Sequence, residues 1–197
     1  MILPNSKSNL FLLGNGGHAG VILDLLTEIG VNVSAVYSPA APVNSTLFAD
    51  IEHRTNDQDI LRYDPENTFL INGIGMLPNK DIRRNVFNRF NNHGYRFISV
   101  ISPTAKISKN AIIGDGVQIF HNVTVQAGCK IGDHTILNTG AIVEHDCTIG
   151  PHNHFAPGTT ICGGVETCEN VFIGAGATIL PNRKISASTI VRAQCVL

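Results

Sequence analysis

From Ile101 onward a lead residue, aliphatic at all but two places, returns at every sixth position: Ile101, Ile107, Ile113, Ile119, Val125, Ile131, Leu137, Val143, Ile149, Phe155, Ile161, Thr167, Ile173, Ile179, Ile185 and Val191. Fifteen of these sixteen lead positions are apolar, and no insertion interrupts them. Four residues after most leads stands a small side chain, as at Ala105, Ala111, Val117, Val123, Cys129, Thr135, Ala141 and Cys147; Asn153 and Arg183 break that rule. A period of six fits neither the 3.6-residue helix nor the alternating strand. It fits a parallel β-helix whose coils have three short flat sides, with the leads filling a prism and the small residues near its corners. With three six-residue units per coil, residues 18 apart stack in one column, about 4.8 Å from coil to coil.

The first half has another texture. Leu10–Leu13 reads as a strand, followed by the loop Gly14-Asn15-Gly16-Gly17-His18 and a helical pattern, AGVILDLLTEIG, that closes at Gly30. Apolar runs at Val31–Tyr37 and Phe69–Ile74 predict further strands, a helix is expected over 81–92, and a last strand over 95–100. This β–loop–α–β order predicts a Rossmann-like domain over residues 1–98, passing directly into a β-helix over 99–197. A glycine-rich loop before a helix N-terminus suits close approach to phosphate, although the same glycines also serve a bare tight turn. The motif is shorter than the dinucleotide fingerprint, and Tyr37-Ser38-Pro39 offers no acid for a ribose, so NAD is not expected.

Composition narrows the function classes. Charged residues make up 15% of the chain against a usual level of about 25%, which excludes most disordered chains and points to a surface partly covered by sister subunits. The net charge is −1 and the basic residues are scattered, so neither nucleic acid nor an anionic membrane is an expected partner. The run Leu10–Leu13 is too short for a signal or a span, and a soluble, cytoplasmic protein is expected. The five cysteines form no C-x-x-C pair and no disulfide framework is expected. Cys129, Cys147 and Cys195 share the small inward position and read as core filler.

The densest chemistry lies in AIVEHDCTIGPHNHFAPG, residues 141–158. A zinc reading recruits His145, Cys147, His152 and His154, but the six-residue spacing sends Cys147 inward, His145 outward and His152 to another side. Zinc needs ligands converging on one point, so no metal is expected. His145 falls at an outward corner with small column neighbours, Ala127 and Gly163, and Asp146 beside it. An imidazole titrates near the operating pH, and a carboxylate on its other nitrogen fixes the tautomer, so the two form an acid–base pair. His134 and His152 stack on another corner and read as exposed surface or subunit contact.

The run Val143-Glu144-His145-Asp146-Cys147, with Asn138-Thr139 before it, Gly14 to His18, Ile74-Gly75 and Gly174 to Asn182, resembles the bacterial nucleotide-sugar N-acetyltransferases of the bacillosamine-pathway type, with their perosamine and sialic acid O-acetyltransferase relatives. The resemblance implies a left-handed β-helix of hexapeptide repeats and an acetyl-CoA-dependent N-acetyltransferase acting on a nucleotide-linked amino sugar. It implies His145 as general base assisted by Asp146, and His154, Gly163, Ala175 and Ala193 beside acetyl-CoA. It implies Gly16, Gly17, His18, Gly75 and Asn138 at the nucleotide sugar, and a homotrimer with active sites between subunits. Direct attack without an acyl-enzyme is expected, because Cys147 should be buried. O-acetylation of a sugar hydroxyl is the alternative on the same fold; a metal-dependent β-helical enzyme or a non-catalytic scaffold is the alternative of another class. Ser38-Pro39 stands where many members carry acids that read uracil, and Arg192-Ala193 where a glycine run is usual. The chain stops at Leu197, short of the family's usual C-terminal extension.

Overall fold

The computed structural model describes residues 8–41 and 45–197. The chain divides between Ile98 and Ser99 into two compact units. The first is built on a five-stranded parallel sheet in the order β3-β2-β1-β4-β5. Its elements are β1 (Asn9–Leu13), α1 (Gly17–Glu28), β2 (Ala35–Tyr37), α2 (Ser45–Phe48), β3 (His53–Arg54), a 3₁₀ turn (Asp57–Arg62), β4 (Thr68–Asn72), α3 (Ile82–Asn91) and β5 (Arg96–Phe97). β1 and β4 are buried almost throughout, as sheet-centre strands covered on both faces must be. On one face of the sheet Phe11, Leu13, Tyr37, Leu70, Phe90 and Phe97 form a continuous core.

This is the expected Rossmann-like order, with α2, β3 and the 3₁₀ turn added between β2 and β4, the strand expected over Phe69–Ile74 ending at Asn72, and two larger boundary changes. The apolar run from Val31 pairs only over β2, because Gly30 and Val31 close α1 instead. The N–H of Gly30 donates to the Thr27 carbonyl and that of Val31 to the Leu26 carbonyl, a glycine-bearing helix stop with Gly30 at φ 71°. The strand expected over 95–100 splits into two. Arg96–Phe97 pairs with β4, whereas Val100–Ile101 pairs with Gln118–Ile119 in the next unit.

The second unit is a left-handed parallel β-helix. Sixteen two-residue strands, from Val100–Ile101 to Ile190–Val191, stack into three flat sides of six, five and five strands. Strands pair in register with those 18 residues away, as Ile142 with Thr124 and Thr160, and the leads pack into one core. The first side carries His154–Phe155, the second Ile142–Val143 and the third Thr148–Ile149. At each turn from Gly116 to Gln194 the residue three after the lead has a φ between 57° and 78°. Glycine, asparagine, aspartate and histidine, which tolerate this left-handed region best, fill most of these places.

Cys129 and Cys147 are fully buried, as the spacing requires, but Cys195 is exposed. It keeps its position in the repeat but follows Ile190–Val191, the last of the described strands.

Candidate functional site

The second corner of the prism, between the second and third sides, holds Glu144, His145, Asp146 and Cys147. The His145 side chain is 64% exposed, and its Nδ1 lies 2.9 Å from Asp146 Oδ2. The carboxylate accepts from Nδ1–H, which leaves Nε2 as the basic nitrogen. This hydrogen bond, ahead of the charge of Glu144, raises the imidazole above its ordinary pKa. Asp146 occupies the left-handed position of its turn, with φ 61°.

The corner has room for this pair because the stacked coils carry glycines there. A Cβ on Gly163, one coil along, would come within 2.7 Å of His145 Nε2 and Cε1. A Cβ on Gly128, one coil back, would collide with the Asp146 carboxylate. The coils are tied at this point by Asp146 N–H to the Ala127 carbonyl at 3.0 Å and Gly164 N–H to the His145 carbonyl at 2.9 Å. Behind the pair, the Cys147 thiol is pushed far up by its hydrogen bond with Cys129 and by burial, so it is a poor nucleophile.

The other residues singled out in the prism do not join His145 within one chain. Asn138, Ala175 and Ala193 lie on the first corner, one full side away. There Asn138 Oδ1 accepts from the Thr139 N–H at 2.8 Å, and the Ala175 carbonyl accepts from Gln194 N–H at 2.8 Å. His154 projects from the first side and is 7% exposed, its ring meeting Phe172 edge-on at 5.1 Å. His134 and His152 are half-buried and stack at 5.1 Å on the third corner, between the third and first sides. Cys147, His145, His152 and His154 thus face four directions. Among the described residues no three His, Cys, Asp or Glu side chains gather as a metal site.

In the first unit the four residues expected at the nucleotide come together. The order in which strands are added reverses between the parallel neighbours β1 and β4, and the loops after these two strands border the crevice where open α/β sheets hold ligands. Gly14 packs against Gly73 and Ile74, where a Cβ would be 3.1 Å from Ile74 Cγ1. Gly75 lies against His18, its Cβ position 3.5 Å from the His18 Cβ. Gly16 and Gly17 face open space at the start of α1, and Gly16 offers no side-chain cap to the first helical N–H groups. Unpaired N–H groups at a helix start favour an anion.

Several residues that build the rim escape a reading by motif. Asn15 Nδ2 donates to the Ala40 carbonyl at 2.5 Å, tying the glycine-rich loop to the loop after β2. Ser38 is buried; its hydroxyl donates to the Ala40 carbonyl at 2.8 Å and pairs with His53 Nε2 at 2.9 Å. Its hydroxyl is therefore committed to the fold. Arg54 grips Glu52 at 2.8 Å and donates to the phenol oxygens of Tyr37 and Tyr63 at 3.0 and 2.6 Å. Apart from the local Ser38–Ala40 and Glu52–Arg54 pairs, these contacts join residues 9 to 25 apart in a part of the chain with no repeat, so no spacing announces them.

Residues 98–196 match the family described as the GMPPB C-terminal domain, and residues 9–90 the PglD N-terminal domain. GDP-perosamine N-acetyltransferase of Escherichia coli O157:H7 is 34% identical over 112 residues, 55% of this chain and 51% of that protein. The match thus spans about half the length of that curated relative. PerB from Caulobacter crescentus, solved with CoA and GDP-perosamine, superposes with a TM-score of 0.85 at 29% identity, covering 98% of this chain and 89% of that one. The acetyltransferase domain of PglB from Neisseria gonorrhoeae FA1090, solved with acetyl coenzyme A, gives 0.83 at 25% identity, covering 98% and 93%.

Proposed function

The chain belongs to the family of the GMPPB C-terminal domain through residues 98–196, and from that premise we propose that it is an acetyl-CoA-dependent N-acetyltransferase acting on the amino group of a nucleotide-linked amino sugar. The observation that carries the reading is the exposed His145–Asp146 pair on a prism corner cleared by Gly163. The relatives support the substrate class, since they acetylate or bind a GDP-linked amino sugar and bind CoA or acetyl-CoA.

In this mechanism Asp146 holds His145 Nδ1–H, and Nε2 takes the proton from the sugar amine as its nitrogen attacks the thioester carbonyl. The tetrahedral intermediate collapses with cleavage of the C–S bond, and the imidazolium returns the proton to the departing CoA thiolate. The amine becomes an amide and CoA leaves as the free thiol. Cys147 takes no part, being buried and held protonated. Acetyl-CoA runs along the prism past Gly163, His154, Ala175 and Ala193, while Gly16, Gly17, His18, Gly75 and Asn138 hold the nucleotide sugar. His145 and Ala175 stand on different corners of one prism, so a site containing both is built between adjacent copies. A homotrimer supplies that arrangement. Among the described residues no helix is long and apolar enough to cross a membrane, and the proposed donor and acceptor are cytoplasmic metabolites.

The test is thiol release from acetyl-CoA with GDP- and UDP-linked amino sugars. Wild-type protein is expected to release thiol with at least one acceptor, and His145→Ala to lower turnover by about 10²–10⁴ with an unchanged circular dichroism spectrum. Wild-type turnover in that variant removes His145 from the mechanism. A burst of covalently acetylated protein with acetyl-CoA alone rejects direct attack.

A further inference from the structure

Helix α3 turns an apolar stripe to the first unit's core through Val86, Phe87 and Phe90. One turn before Val86, the same stripe reaches Arg83, where an aliphatic residue is the ordinary choice. Arg83 is 8% exposed, and no carboxylate pairs with it among the described residues. Burial lowers its pKa to about 9, which still leaves it charged at neutral pH. A buried cation without a counter-charge among the described residues is costly, and an anion bound beside it would offset that cost.

The arginine's contacts show where that anion belongs. Its Nη1 donates to the carbonyls of Asn72 at 2.9 Å and Ile74 at 2.6 Å. Asn72 answers, donating Nδ2 to the Arg83 carbonyl at 3.0 Å and accepting the Ile74 N–H on Oδ1 at 3.2 Å. The loop after β4 is thereby moulded by one asparagine and one arginine. Every peptide here is trans, so the Gly75 N–H points opposite to the Ile74 carbonyl that the guanidinium holds. It is presented away from Arg83, on the loop that borders His18 across the crevice.

We propose that Arg83 is a positioning residue for the diphosphate of the bound nucleotide: it holds the Ile74–Gly75 peptide with its N–H turned to the crevice and sets an uncompensated positive charge behind that peptide. The inference rests on the reading of this crevice as the nucleotide site. The incoming anion supplies the missing counter-charge, so the cost of burying Arg83 is offset only in the complex.

The test compares binding of GDP and UDP with binding of guanosine and uridine by calorimetry, on wild-type protein, Arg83→Gln and Arg83→Lys. Gln keeps an N–H for the carbonyls but removes the charge. It is expected to weaken both diphosphates about tenfold while leaving the nucleosides unchanged, because a hydrogen bond to a charged group is worth about that much. Lys is expected to restore most of the loss. Equal weakening of nucleosides and diphosphates in Arg83→Gln marks a purely structural role and overturns the proposal, as does wild-type diphosphate binding in that variant. Should Arg83→Gln not fold, Arg83→Lys decides: it must keep the preference for GDP over guanosine, and loss of both together overturns the proposal. Wild-type protein that binds neither diphosphate also overturns it. None of these readouts involves acetyl-CoA. A protein that binds the diphosphates but transfers no acetyl group refutes the acetyltransferase reading and leaves the role of Arg83 standing.

Discussion

At the scale of single residues, the behaviour of His145 is set by one neighbour. Its hydrogen bond to Asp146 stabilises the imidazolium, so the pKa lies above the usual value of about 6.5. A general base works in its neutral form. The rate should therefore be low at acid pH and climb through a limb placed higher than an unassisted histidine would give. Asp146→Asn removes the largest cause of the shift: the acidic limb of kcat/KM is expected to move to lower pH and the plateau to fall about tenfold or more, since the tautomer is no longer held. A pH–rate profile with an unmoved limb excludes the pairing from the mechanism. The adjacency of His145 and Asp146 and their outward direction were readable from the six-residue spacing. The space around them follows the same 18-residue stacking, which sets Gly163 in the column of His145 and Gly128 in that of Asp146; how closely each glycine approaches its neighbour is visible only in the structure.

At the scale of the repeat, two of its three polar departures prove to be one structure. Thr167 is the polar lead and Asn153 a polar residue at a small inward place, and Asn153 Nδ2 donates to Thr167 Oγ1 at 2.5 Å. The reason lies in the third corner. On the first corner inward N–H groups bond to the carbonyl three residues back, as Ala141 does to Asn138 and Ala177 to Gly174. On the third, the side chain one coil earlier accepts instead: Ser99 from Val117 N–H, Thr135 from Asn153 N–H and Asn153 from Val171 N–H. Asn153→Leu leaves the Val171 N–H and the Thr167 hydroxyl without this partner inside the prism. It is expected to destabilise the protein by about 2–4 kcal/mol, read as a lower denaturant midpoint. A neutral result makes the ladder incidental. A residue-by-residue pattern flags Asn153 as an exception but not its remedy, which is 14 residues away and in the core.

At the scale of the whole molecule, the distribution of candidate residues over different corners has a direct consequence. If each active site joins His145 of one copy to the first corner of another, two defective chains complement each other. His145→Ala and Ala175→Trp proteins, each inactive alone, are expected to regain part of the activity when co-expressed, because some interfaces pair two intact halves. Separate sites within single chains yield no recovery. Light scattering should report a mass three times that of the chain.

The sequence by itself determined the architecture of the second unit, since a six-residue period over sixteen leads admits one kind of core, and it determined which side chains of residues 141–158 are interior. It also located the glycine-rich loop and the strand–helix order of the first unit. Tertiary structure alone decided the rest. It broke the strand expected over 95–100 between two sheets, drew Val31 into a helix stop, and brought Gly75 against His18 from 57 residues away. It placed a lone arginine under the loop that carries Gly75. The division follows from the physics: periodic burial is written locally, one residue after another, whereas hydrogen bonds and buried charges are settled by whichever groups the folded chain places within reach.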